Sequence, residues 1–133
     1  MVRAAAIVIR TLARWLLGLA FLAAAALHFI HPEVYLPMMP PYLPGHRELI
    51  FISGVCEILG GAGVLWPNEK VQRAGGLGLI ALLAAVFPAN LHMALNDTPF
   101  LGEHLSAATR WGRLPLQLVL MAWAWWATNS KKE

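Results

Sequence analysis

The residues able to do chemistry in this chain are few and far apart. One carboxylate, Glu57, stands inside a long uncharged run, with Ser53, Gly54, Gly60 and Gly61 around it. His28 sits near the end of the first apolar run, Asn90 and His92 near the end of the third, and Gln117 inside the last. Imidazoles and carboxyls are the groups that most readily pass protons, so Glu57, His28 and His92 are the candidate catalytic residues. An ionisable group within an apolar span costs roughly a few kcal/mol to insert, so it is either partnered or functional. Two readings of Glu57 follow. It can fix helix register by bonding Gln117, Asn90 or His92, or it can serve a ligand, a proton or a redox reaction.

Other chemistries are excluded by what is missing. His28, His92 and Glu57 are the ligand types of a two-histidine, one-carboxylate metal site, but no His-x-x-x-His or Glu-x-x-His spacing occurs, and no metal is expected. Cys56 is the single cysteine, so an internal disulfide and a Cys-x-x-Cys redox centre are both ruled out. Gly60-Gly61-Ala62-Gly63 follows no strand and is no phosphate loop. The net charge of +3 comes with no dense basic cluster, which argues against nucleic acid.

The elements that must position these groups read as membrane helices. Charged residues make up 13% of the chain, about half the usual share, and mean hydropathy is +0.60. A single domain, residues 1–133, is expected as an all-α integral membrane four-helix bundle with spans at about 11–30, 49–66, 74–95 and 112–127. Arg3, Arg10, Arg14, Lys70, Arg73, Lys131 and Lys132 fall on one side, against Arg47, Arg110 and Arg113 on the other. The positive-inside rule then places both termini in the cytoplasm. A secretory signal peptide competes for the first run, but the apolar stretch continues past Ala23–Ala26 and is longer than a typical signal core.

Between the first two spans, five of the nine prolines fall within thirteen residues, Pro32 to Pro44. Such a segment cannot be regular helix, and it is too apolar to be a solvated tail. It reads as an outer cap, with Tyr35, Met38, Met39, Tyr42 and Leu43 as a lid over the polar layer. Helical spacing aims His28, Glu57, His92 and Gln117, with Arg113 one turn before Gln117, into the bundle. On the third helix the small residues Gly78, Ala81 and Ala85 mark the expected inner face together with Pro88 and His92. Asn90 lies about 200° from His92, and spacing alone leaves open which of the two faces inward.

The blocks Ala26-Leu-His-Phe-Ile-His-Pro-Glu-Val-Tyr35, Met39-Pro-Pro-Tyr-Leu-Pro44, Ile52-Ser-Gly-Val-Cys-Glu-Ile-Leu-Gly-Gly61 and Val86-Phe-Pro-Ala-Asn-Leu-His-Met93 resemble the DoxX-like membrane proteins. The likeness covers the first three helices, and the fourth matches only in character. It implies a small four-helix protein of the bacterial inner membrane, some of whose relatives are subunits of quinone-linked oxidoreductases or assist oxidative-stress complexes. More distant membrane folds of similar layout isomerise sterol-like ligands. With no cysteine pair, a thiol-disulfide role does not carry over.

The leading expectation is a membrane subunit or accessory of a quinone-linked oxidoreductase. Its quinone would meet Glu57 and a histidine, and its partner would be a membrane or extracytoplasmic redox protein. The alternatives are a binding protein, or isomerase-like protein, for an apolar small molecule, and a structural scaffold. In either ligand reading Asn90, Gln117, Arg113 and the lid contact the bound molecule. N-terminal sequencing of the membrane-extracted protein is expected to return residues upstream of Ala23; a new terminus just after Ala26 marks cleavage.

Overall fold

The computed structural model describes residues 1–100 and 103–129. Helix α1 runs over Val2–Ile30, 29 residues or about 43 Å, through a stretch rich in alanine and leucine. It stops where His31 meets Pro32, because a proline ring drives the residue before it out of helical geometry. His31 sits at φ −133°, its N–H still bonded to the Leu27 carbonyl at 2.9 Å.

The proline-rich segment folds tightly over the end of α1. Pro32–Val34 and Leu36–Met38 are short 3₁₀ turns, each with a proline in its first turn where no backbone donor is needed. His46 Nε2 donates to the Pro40 carbonyl at 2.9 Å and ties the segment to the next helix. Gly45 adopts φ +60° just before that helix, a left-handed conformation that a side chain would strain.

Helix α2 spans His46–Leu65, α3 Glu69–Asn96 and α4 Ala107–Thr128. Asn68 caps α3 by accepting from the Lys70 and Val71 amides, and Ser106 caps α4 by accepting from Thr109 N–H. Each helix starts before its expected apolar span: α2, α3 and α4 by polar first turns, and α1 by Val2–Arg10, a stretch that is itself largely apolar. Pro88 and Pro115 lie inside α3 and α4, which continue through them. Among the described residues the one extended pairing is an isolated bridge between Phe100 and Glu103. Lys131 and Lys132, two of the cations that set the expected orientation, lie outside the described residues.

The chain packs in sequence order: α1 on α2, α2 on α3 and α3 on α4, with a thinner contact closing α4 onto α1. Leu17, Phe21, Val64, Leu79, Leu83 and Ala124 form the core. Larger apolar residues such as Leu12, Leu16, Ile52, Leu59, Leu77, Leu118 and Val119 point outward. A water-soluble domain would bury them. Helices α1, α2 and α3 are each long and apolar enough to cross a membrane, which places the protein among membrane proteins.

Helices in lipid approach through small residues, and α2 uses two adjacent ones for two neighbours. A Cβ built on Gly61 would lie 3.0 Å from the Gly18 carbonyl of α1, whereas Gly60 faces Leu79 of α3. Gly75 of α3 lies against backbone: its Cβ would stand 2.8 Å from Val64 N and 3.0 Å from the Gly60 carbonyl. The expected inner face of α3 is corrected here. Gly78, Ala81 and Ala85 are exposed, and the buried stripe runs through Gly76, Leu79 and Leu83. Leu79 seated on Gly60 of α2, with Gly75 against the α2 backbone and Gly76 against Thr128, sets which way α3 turns.

Gly75→Ala is therefore expected to push α2 and α3 apart and lower unfolding stability by about 1–3 kcal/mol. Gly78→Ala, with nothing within 4 Å of the added carbon, is expected to be neutral or slightly stabilising. Unfolding in mixed micelles reads both; equal effects would refute this account of the α2–α3 contact.

Candidate functional site

A cavity of about 360 Å³ lies between the helices, lined by residues of all four and of the proline-rich segment. Its size falls within the range of small-molecule sites. The floor is apolar, made by Leu17, Ala20, Phe21, Leu83, Leu120 and Trp123. At the other end stand His28, Tyr35, Glu57, Asn90, Arg113 and Gln117, with Ser53, Met38 and Met39 beside them. Leu17 and His28 are eleven residues apart on α1, so the cavity runs about 16 Å from apolar floor to polar end.

His28 is the hinge of the polar end. Its Nδ1 donates to the Ile50 carbonyl of α2 at 2.8 Å, and its Nε2 lies 3.1 Å from Glu57 Oε2. The second contact is close without being aligned as a hydrogen bond, and Oε2 is buried with no hydrogen-bond partner among the described residues. The Tyr35 ring stacks on the imidazole at 4.1 Å between centroids and meets Phe100 edge-on at 6.4 Å. Gly54 makes the approach possible, for a Cβ there would sit 2.9 Å from His28 Cβ and 2.8 Å from the Phe29 ring.

Across the cavity, Asn90 Nδ2 donates to Gln117 Oε1 at 2.9 Å. This bond joins α3 to α4 and leaves the Gln117 amide hydrogens as donors. Gln117 is only 5% exposed. One turn earlier on α4, Arg113 places its guanidinium 5.1 Å from the Phe100 ring centroid and 3.7 Å from Met93 Sδ. Among the described residues no carboxylate lies within ion-pair distance of it; Asp97 instead faces Arg110 at 3.5 Å. At the floor, Trp123 Nε1 donates to the Ala13 carbonyl at 3.1 Å, and Arg14 donates to the Val64 carbonyl.

The structure brings together His28, Glu57, Asn90, Gln117, Arg113, Tyr35, Met38 and Met39. It does not bring in three others. His92 turns away from the cavity, where Asn96 Nδ2 donates to its Nδ1 at 3.1 Å and to its carbonyl at 2.9 Å. Asn90, on the opposite side of α3, faces inward. Tyr42 is 73% exposed and Leu43 lies outside the lining, because the 3₁₀ turns place Tyr35 and Met38 over the cavity and carry the later residues past it. Ile50 and Trp123 are lining residues that were not singled out; Ser53, read on the same helix face as Glu57 but not as a site residue, lines the cavity one turn before it.

Chemically, among the described residues the polar end offers many donors, an imidazole–carboxyl pair and one cation, Arg113, with no carboxylate at ion-pair distance, above an apolar shaft. That arrangement suits an amphipathic guest. No group of three or more histidine, cysteine or acidic side chains is arranged as a metal site among the described residues.

An apolar, all-helical membrane protein with a cavity between its helices is the class that these observations define. A family model described as a domain of unknown function, DUF8561, matches residues 17–128, and the chain belongs to that family. No curated protein and no solved structure matches it.

Tyr35 gives a measurable consequence. Burial first, and the nearby Glu57 carboxyl second, push its phenol up to about 12, while Arg113 works the other way. In an unfolded chain the phenol ionises near about 10. The folded state thus holds the proton more tightly, and stability is expected to fall as pH rises from about 10 to about 12. Absorbance titration of wild type minus Tyr35→Phe should show the Tyr35 phenolate only above about pH 11; an onset near about 10 would mean that the ring is solvated.

Proposed function

We propose that this is a four-span protein of the bacterial inner membrane, both termini cytoplasmic, that binds a lipid-soluble small molecule between its helices. The observation that carries the reading is the amphipathic cavity, with hydrogen-bonding groups from every helix at one end and bare apolar walls at the other. Helix α4 is 22 residues long and packs on α3 and α1, which supports a fourth span despite Arg110 and Arg113. Arg3, Arg10 and Arg14 share the floor end with the first turns of α3, which carry Lys70 and Arg73, in keeping with a cytoplasmic floor.

A second reading is favoured by the His28–Glu57 contact. A proton-carrying pair beside an apolar cavity suits a quinone, whose reduction consumes protons, and makes the protein a membrane subunit of a quinone-linked oxidoreductase. The likeness to DoxX-like proteins supports this, since its blocks include His28, Tyr35, Ser53, Glu57 and Asn90, all on the cavity wall. A partner redox protein would deliver the two electrons, Glu57 would pass a proton to the ring oxygen and His28 would replenish it for the second.

The test is to extract the protein from its native membrane in polymer nanodiscs and analyse the bound organic molecules by mass spectrometry. A stoichiometric small molecule is expected in the wild type, and about three- to tenfold less in Glu57→Gln, the loss of roughly one hydrogen bond. A quinone in that fraction, with redox turnover lost in Glu57→Gln, selects the second reading. Wild-type protein without any bound molecule, together with a Glu57→Gln variant changed only in stability, leaves a structural scaffold and removes both.

A further inference from the structure

Among the described residues the cavity wall holds one guanidinium, Arg113, with no carboxylate at ion-pair distance. His28 has committed Nδ1–H to the Ile50 carbonyl, so its Nε2 presents a lone pair unless a second proton sits there. Glu57 Oε2 lies 3.1 Å from that nitrogen. Two lone pairs at this distance in an apolar surround repel, so one hydrogen belongs to the pair. Wherever it resides, the sum is the same: neutral imidazole with neutral carboxyl, or imidazolium with carboxylate. The pair is neutral as a unit.

Arg113 is therefore left as a net positive charge at the polar end. Its contacts are a sulfur and an aromatic ring, soft partners that leave most of its five donors unused. Its neighbour one turn on, the buried Gln117, accepts from Asn90 and has hydrogens to give. A partly buried cation with no carboxylate at ion-pair distance among the described residues is stabilised by an anion that meets it. We infer that the natural guest is an amphipathic acid, a single apolar tail carrying one carboxylate or comparably acidic oxygen, and that Arg113 with Gln117 receives that anion. The inference rests on the cavity being a ligand site. It names the ligand class, and it differs from the neutral quinone of the second reading. A two-chain anionic phospholipid shares the chemistry of the head but carries a second tail that a cavity of about 360 Å³ does not hold.

The test uses the full chain in zwitterionic nanodiscs, with quenching of tryptophan fluorescence (Trp123 lines the floor) and native mass spectrometry as readouts. The probes are a medium-chain fatty acid, its methyl ester, a short-tailed quinone and added phosphatidylglycerol. The acid is expected to bind at least about tenfold more tightly than the ester, as a charge-assisted hydrogen bond requires. Arg113→Gln should bring acid and ester within about twofold by weakening the acid alone, and Arg113→Lys, which keeps the charge without the fork, should keep part of the preference. Equal affinity for acid and ester in the wild type overturns the inference while leaving the cavity a binding site. So does an undiminished preference in Arg113→Gln, a quinone that outcompetes the acid, or displacement of the acid by phosphatidylglycerol. Failure of every probe to bind removes the inference together with the ligand reading beneath it.

Discussion

An imidazole and a carboxyl meet 3.1 Å apart inside an apolar helix pair, and much of this structure serves that meeting. The Ile50 carbonyl fixes one nitrogen of His28, so that the other faces Glu57. Tyr35 stacks over the imidazole and closes the proline-rich segment down on it. Gly54 lets α1 come close enough for the contact to exist. Three elements, α1, α2 and the lid, are held in register by one side chain that belongs to the first of them.

The outward-facing leucines and isoleucines cannot supply this cohesion. In lipid an apolar surface gains little from burial, and helix association depends on close packing and hydrogen bonds. The chain accordingly uses glycines at the α1–α2, α2–α3 and α3–α4 approaches, and adds side-chain hydrogen bonds where α4 meets its neighbours. Asn90 to Gln117 links α3 with α4, and Trp123 to Ala13 links α4 with α1.

Much of the fold was legible in the sequence because hydropathy and proline report directly on backbone geometry. Apolar runs showed four helices, and Pro32 showed where the first ends. Glu57 was legible as an unusual residue because a lone carboxylate in an uncharged run has few explanations. The face of α3 was not. Its small residues suggested one stripe, and the structure seats Leu79 against Gly60 on another, a choice that depends on the partner's surface. For the same reason His92 read as well as Asn90, and only the packed helix separates them. The Ile50 carbonyl that orients His28 left no trace at all, since every residue has a carbonyl. The proline-rich segment was legible as irregular backbone beyond the first helix, but the sharp 3₁₀ turns that bring Tyr35 in and leave Tyr42 out depend on the fold of the whole segment.

Trp123 has a consequence of its own. Its indole N–H is bound to the Ala13 carbonyl, so the ring presents only hydrocarbon to the cavity and is held against swinging aside. The shaft is thereby a gauge with a fixed stop. A guest anchored by its polar end has a set length of tail to lay down before it meets the ring. Any longer tail must turn sideways, and the thinner contact between α4 and α1 is the side on which the wall is weakest.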